Sequence, residues 1–198
     1  MDKDERTLLE HARLYILWQA VKNCAVYNLP IAEVGVFMGG SAYFLCSILK
    51  YLNNKNTVYL FDTFEGHVIV DESIDGEHKV GCLSYLSHPK SAYESVCEYL
   101  KEFDNKVIYK GNFLETCNKV SSLDFGLVHI DVDVYPVTKG CLSFFDKRLI
   151  KGGVMVVDDY GSTDTKGVKK AVDEFISANS PNYLNFHLET GQALLIKV

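Results

Sequence analysis

No apolar run in this 198-residue chain approaches the ~18 residues of a membrane span, and the charged opening Met1-Asp-Lys-Asp-Glu-Arg6 leads into no apolar signal core. There is no Lys/Arg cluster to offset a net charge of −6 and a pI near 5.5, so neither a membrane nor a nucleic acid is an expected partner. The six cysteines (Cys24, Cys46, Cys82, Cys97, Cys117, Cys141) contain no C-x-x-C pair, which speaks against a structural zinc site and a thioredoxin-like motif. A cytoplasmic protein with reduced thiols is the expectation. Low-complexity tracts, internal repeats and an interdomain linker are also missing, so residues 1–198 read as one domain of ordinary size.

What is present is an alternation of strand and helix signals. Apolar residues at helical spacing between about Glu5 and Tyr27 make residues 1–30 an N-terminal helical segment. Strands are expected at 31–36, 57–61, 106–109, 125–130 and 153–157, and helices at about 41–52, 91–103, 137–145 and 166–178. The stretches 183–188 and 193–198 complete a terminal hairpin around a turn containing Gly191. Five βα units followed by a hairpin predict an α/β fold, a doubly wound, seven-stranded Rossmann-like sheet with a C-terminal antiparallel addition. Between Asp62 and Pro89 the periodicity fails for nearly thirty residues, long for a compact connection, and residues 65–90 are expected to form a lid. His67 and His78, in that lid, could approach a ligand.

Two segments carry the chemistry. Leu127-Val-His-Ile-Asp131-Val-Asp133-Val-Tyr135 and Gly152-Gly-Val-Met-Val-Val-Asp158-Asp159-Tyr160 are β-branched runs that end in carboxylates. Buried parallel strands deliver such residues to the carboxyl edge of a sheet. If the two strands are neighbours, four carboxylates meet, and a resident cation is the economical way to hold them together. Oxygen-only ligands favour Mg²⁺ or Mn²⁺. A helix or turn cap is the plainer reading of Asp158-Asp159.

At the first βα junction, Glu33-Val-Gly35-Val-Phe37-Met-Gly39-Gly40-Ser41 lets the backbone turn tightly before a helix N-terminus. Its spacing is not the dinucleotide G-x-G-x-x-G, and no P-loop is present. Asp62 closes the next strand, where a nucleotide-binding fold puts an acid on ribose hydroxyls; its plainer role is to cap a turn. Together the glycine turn and Asp62 favour an adenosine-containing cofactor. Asp133, His129 or Tyr135 could take a proton from an acceptor, although His129 also reads as a satisfied core histidine and Tyr160 as a packing residue. Lys139, Lys169 and Lys170 read as solvated helix faces.

These motifs, with Asp62-Thr63-Phe64-Glu65-Gly66 and Gly111-Asn112-Phe113-Leu-Glu-Thr116, resemble the TylF/macrocin-type O-methyltransferases over residues 31 to 176. The resemblance implies a class I methyltransferase fold and S-adenosyl-L-methionine as cofactor. It implies that Glu33, Val34, Gly35, Phe37, Gly39, Gly40 and Ser41 hold the methionine part. Asp62, with Thr63 and Phe64 behind it, would serve the ribose, and Asn112 and Phe113 the adenine edge. Asp131, Asp158 and Asp159 match the magnesium ligands, Asp131 also facing the cofactor, and Asp133 matches a suggested general base. Family members commonly carry a longer N-terminal region than the thirty residues before the first strand here, so the 65–90 segment is expected to supply the lid. The implied activity is metal-assisted O-methylation of a small-molecule hydroxyl on a sugar, phenol or other natural product. A cephalosporin hydroxylase-like oxygenase, a noncatalytic cofactor-binding module and a homo-oligomer stay open.

Overall fold

Apolar runs bounded by turn residues become strands, and segments of 3.6-residue spacing become helices. The computed structural model describes residues 6–76, 80–81 and 92–198. Its strands are β1 (Ile31–Val34), β2 (Val58–Asp62), β3 (Lys106–Lys110), β4 (Phe125–Ile130), β5 (Leu149–Val157), β6 (Tyr183–His187) and β7 (Ala193–Lys197). Its helices are α1 (His11–Cys24), α2 (Gly40–Tyr51), α3 (Ala92–Tyr99), α4 (Phe113–Thr116), α5 (Tyr135–Asp146) and α6 (Lys166–Asn179). The seven strands form one sheet in the order β3-β2-β1-β4-β5-β7-β6. Strands β1 to β5 run parallel, and β7 pairs antiparallel with both β5 and β6. This is the doubly wound sheet with a terminal hairpin that the sequence predicts.

Alternating side chains of the central strands feed two cores. Ile31, Leu127 and Val156 pack with Leu17 and Val21 of α1, Leu45 and Leu49 of α2, and Val96 of α3. Ala32, Val128, Ile130 and Val157 pack with Phe113 of α4, Leu142 and Phe145 of α5, and Val172 of α6 on the other face. Every residue of β4 is buried, as a central parallel strand covered on both sides requires. Each fully buried Leu or Phe in these layers contributes about 1.5–3 kcal/mol.

Three departures from the sequence reading have local causes. The N-terminal helix starts at His11, because residues 6–9 are pinned across the start of α2: the Gly40 N–H donates to the Arg6 carbonyl at 2.8 Å and the Leu9 N–H to Thr7 Oγ1 at 3.1 Å. Strand β5 starts at Leu149 rather than 153. It passes through an irregularity at Gly152 (φ 79°), since Leu149 pairs with Phe125 but Val154 already pairs with Leu127. Helix α4 was not foreseen; it is one turn, capped by the Asn112 side chain accepting from the Leu114 N–H. In the 65–90 segment, residues 65–76 form no helix or strand. His78 and the stretch 82–91, including Ser87-His88-Pro89, lie outside the described residues.

Candidate active site

The helix after β1 packs on one face of the sheet and the helix after β4 on the other. The crevice at the carboxyl edge of these neighbouring strands is the place where doubly wound folds bind ligands. Gly35 makes the crevice possible. Its φ is 94°, and a Cβ there would sit 1.7 Å from the Asp131 carbonyl oxygen, so only glycine lets the two strand ends approach this closely. A cavity of about 800 Å³ opens above it, within the ~300–1,000 Å³ usual for small-ligand sites.

Of the residues expected to hold a cofactor, Val34, Gly35, Phe37, Ser41, Asp62, Thr63, Phe64, Asn112, Phe113 and Asp131 line this cavity. Asp62 first serves the protein itself. Its Oδ2 accepts the N–H groups of Val36 (2.7 Å) and Phe37 (2.8 Å), and its Oδ1 accepts that of Phe64 (2.6 Å). Burial pushes its pKa up against the opposing pull of those three donors. The clamp holds Phe37 (φ 53°) and Phe64 (φ 55°) in the left-handed region, where each costs on the order of 1–3 kcal/mol. Glu33, Gly39 and Gly40 do not line the cavity. Gly39 is the N-cap of α2 at φ 87°, and Gly40 makes room for the Arg6 backbone, which a Cβ would meet at 2.7 Å.

Asp131, Asp133 and Asp159 also line the cavity, and oxygen atoms of the three lie within 4.8 Å of one another. Strand β4 ends at Ile130, as its expected bounds have it, and Asp133 lies beyond it in a left-handed backbone conformation (φ 62°), as Asp159 does (φ 60°). Burial, followed by repulsion from Asp158 and Asp133, pushes the Asp131 carboxyl well up. Burial also lifts Asp159 to about 6, despite a hydrogen bond from Arg13. A compact, undercompensated group of carboxylate oxygens is a donor set that suits a hard divalent cation.

Asp158 continues the alternation of Val154 and Val156 and points into the protein beside His129, giving a second close group of His129, Asp131 and Asp158. The His129 ring is 0% exposed. Its Nδ1 lies 2.9 Å from Glu33 Oε1 and its Nε2 lies 2.5 Å from Asp158 Oδ2. The β1–β4 register puts Glu33 level with His129, which is why the pair meets. Burial opposes the ring's charge, but the hydrogen bonds to Asp158 and Glu33 outweigh it and raise the pKa well above the ordinary value. With a carboxylate on each nitrogen the ring is an imidazolium donating both ways. Sealed beneath the cavity, His129 is a satisfied core group and has no access to an acceptor.

Tyr135 is also turned away. Its hydroxyl donates to Glu174 on α6 at 2.8 Å, while its N–H donates to the buried Asp75 at 2.7 Å, tying residues 71–75 to the start of α5. Tyr160 packs in the core and donates to Asp173 at 2.8 Å. Lys139, Lys169 and Lys170 pair with exposed acids on helix faces, as expected. His67 lines the cavity, its Nε2 3.3 Å from Asp133 Oδ2.

Two residues at the site escaped the sequence reading. Arg13 of α1 donates from Nη1 to Asp159 Oδ1 (2.7 Å) and Asp158 Oδ1 (3.3 Å), and Gln192 donates to Asp158 Oδ2 (3.3 Å). Both come from ends of the chain remote from the acids, so no local motif marks them. Among the described residues no helix is long and apolar enough to cross a membrane.

A family model described as macrocin O-methyltransferase (TylF) matches residues 3–183. The chain is 26% identical over 166 residues to the 8-demethyl-8-(2,3-dimethoxy-alpha-L-rhamnosyl)-tetracenomycin-C 4'-O-methyltransferase of Streptomyces olivaceus, a match covering 78% of this chain and 62% of that protein. It is 25% identical over 177 residues to the demethyldecarbamoylnovobiocin O-methyltransferase of Streptomyces niveus, covering 85% and 67%. It thus spans about two thirds of the length of these relatives. Its fold is similar to that of the O-methyltransferase NovP, with a TM-score of 0.77 at 21% identity, covering 98% of this chain and 83% of that one.

Proposed function

Because the chain belongs to the macrocin O-methyltransferase (TylF) family, we propose that it is an S-adenosylmethionine-dependent O-methyltransferase, assisted by a divalent cation, acting on a hydroxyl of a small molecule. The acceptor is a sugar, phenol or other natural product, in keeping with relatives named for a rhamnosyl-bearing tetracenomycin and for a demethyldecarbamoylnovobiocin. The observation that carries this reading is one continuous cavity running from the glycine turn at Gly35 to the acids Asp131, Asp133 and Asp159. We read residues 1–198 as a single domain and the segment 65–90 as its lid.

In this reading the turn from Val34 to Ser41 receives the amino-acid part of the cofactor. Asp62, a carboxylate with more acceptor capacity than the turn consumes, faces its ribose, and Asn112 and Phe113 border its adenine. When bound, the cofactor supplies an electrophilic methyl group. Asp131 and Asp159, with the Asp158 oxygen that shares the Arg13 Nη1 with Asp159, would hold Mg²⁺ or Mn²⁺, which would make a bound hydroxyl more acidic. Asp133 Oδ accepts the proton of the acceptor hydroxyl, with His67 fixing the orientation of that carboxylate at 3.3 Å. Holding nucleophile and methyl group in line is worth on the order of 7–11 kcal/mol in favourable cases.

Calorimetry with S-adenosylmethionine and S-adenosylhomocysteine, each with Mg²⁺ and with chelator, tests the reading. Micromolar binding of both is expected, followed by transfer of labelled methyl to members of a sugar and phenol panel. Failure of both ligands to bind under either condition would overturn it.

A further inference from the structure

The acids at this site already have a cation, and it belongs to the protein. Arg13, in the first turns of α1, lines the cavity with its side chain 22% exposed. Its Nη1 is hydrogen-bonded to Oδ1 of Asp159 and to Oδ1 of Asp158, while its Nε donates to the Thr190 carbonyl at 3.0 Å in the β6–β7 turn. The other oxygen of Asp158 accepts from His129 and Gln192 beneath the cavity. One guanidinium nitrogen therefore uses the Asp158 oxygen that His129 and Gln192 leave over, together with an oxygen of Asp159.

From this geometry we propose that Arg13 is a built-in counter-ion that competes with the divalent cation for Asp158 and Asp159. A magnesium-sized ion would take carboxylate oxygens at ~2.0–2.1 Å, and the oxygens open to it include the two that Arg13 Nη1 already contacts. Two positive charges cannot share so small a space, so loading the ion drives the guanidinium off both acids. Arg13 also holds the Thr190 carbonyl, so its departure loosens the contact between α1 and the β6–β7 turn. Loading the ion and reshaping this wall of the cavity become one event. The proposal rests on the metal-assisted reading above and adds a cost, within the protein, to filling the site.

Mn²⁺ titrations of the full chain by calorimetry, wild type against Arg13→Met, test it. The variant is expected to bind Mn²⁺ roughly tenfold or more tightly. It should melt lower than wild type in chelator and recover with Mn²⁺. Asp159→Asn added to Arg13→Met should abolish that binding. Equal affinity in wild type and variant, or tighter binding by wild type, overturns the competition and leaves the metal reading standing. Absence of Mn²⁺ binding in both overturns the metal reading and this inference with it. Hydrogen exchange on the wild type gives a test that does not depend on the variant folding. Saturating Mn²⁺ should speed exchange in the first turns of α1 and around Thr190, and unchanged protection there with Mn²⁺ bound would refute the displacement.

Discussion

At the scale of single residues, the site rests on charges placed where water cannot reach. His129 lies fully buried between Glu33 and Asp158, and removing it would strand two carboxylates in the core. Breaking a buried ion pair by deleting one partner costs about 3–5 kcal/mol. His129→Leu should lower the urea midpoint accordingly, and adding Glu33→Gln should return part of the loss. An unchanged midpoint in His129→Leu would mean that the ring carries no such duty. The sequence makes His129 legible as a core residue, because it stands in an unbroken apolar strand. Its partners are not legible. Glu33 lies 96 positions away and Asp158 lies 29 away, and only the lateral register of three strands joins them.

At the scale of elements, strand order and strand type follow from β-branched runs separated by helical periodicities, and β4 matches its predicted bounds. The ends of elements are less legible, and the site is built from ends. Phe37, Phe64, Asp133 and Asp159 all adopt positive φ, which local propensity disfavours for every one of them. Hydrogen bonds and packing from other elements supply that conformation, so sequence spacing leaves open how Asp133 reaches Asp131. Asp133→Asn keeps size and backbone preference while removing the proton acceptor. Methyl transfer should fall roughly 10²–10⁴-fold with S-adenosylmethionine affinity unchanged. Loss of cofactor binding instead would show that Asp133 holds the turn rather than the proton. Arg13 was invisible for a related reason: a lone arginine on an amphipathic helix looks like any solvated face until the helix is docked.

At the scale of the whole molecule, the acid cluster makes stability depend on pH in an unusual direction. Asp159 titrates near 6 in the folded chain against an ordinary 3.8, so the folded state keeps a proton that the unfolded state has lost. That contribution is fully present below about pH 4 and is lost as the pH rises through 6. Asp131, raised by burial and its acidic neighbours, acts in the same sense. In chelator the protein should be less stable at about pH 7.5 than at about pH 5, by on the order of 1–2 kcal/mol from Asp159. Thermal melts at the two pH values check this, and saturating Mg²⁺ or Mn²⁺ should remove the difference. Equal stability at both pH values without metal would contradict the charge crowding described for the site. The contact between Arg13 and Thr190 spans 177 residues and brings the first helix to the last hairpin. A ribosome releases Arg13 long before Asp158 and Asp159, and Thr190 and Gln192 only after them, so the groups that frame these acids reach them from both directions along the chain. The acids are thus framed only once the β6–β7 turn has docked, and a chain interrupted before Thr190 would lack the carbonyl that holds Arg13 and the Gln192 amide on Asp158.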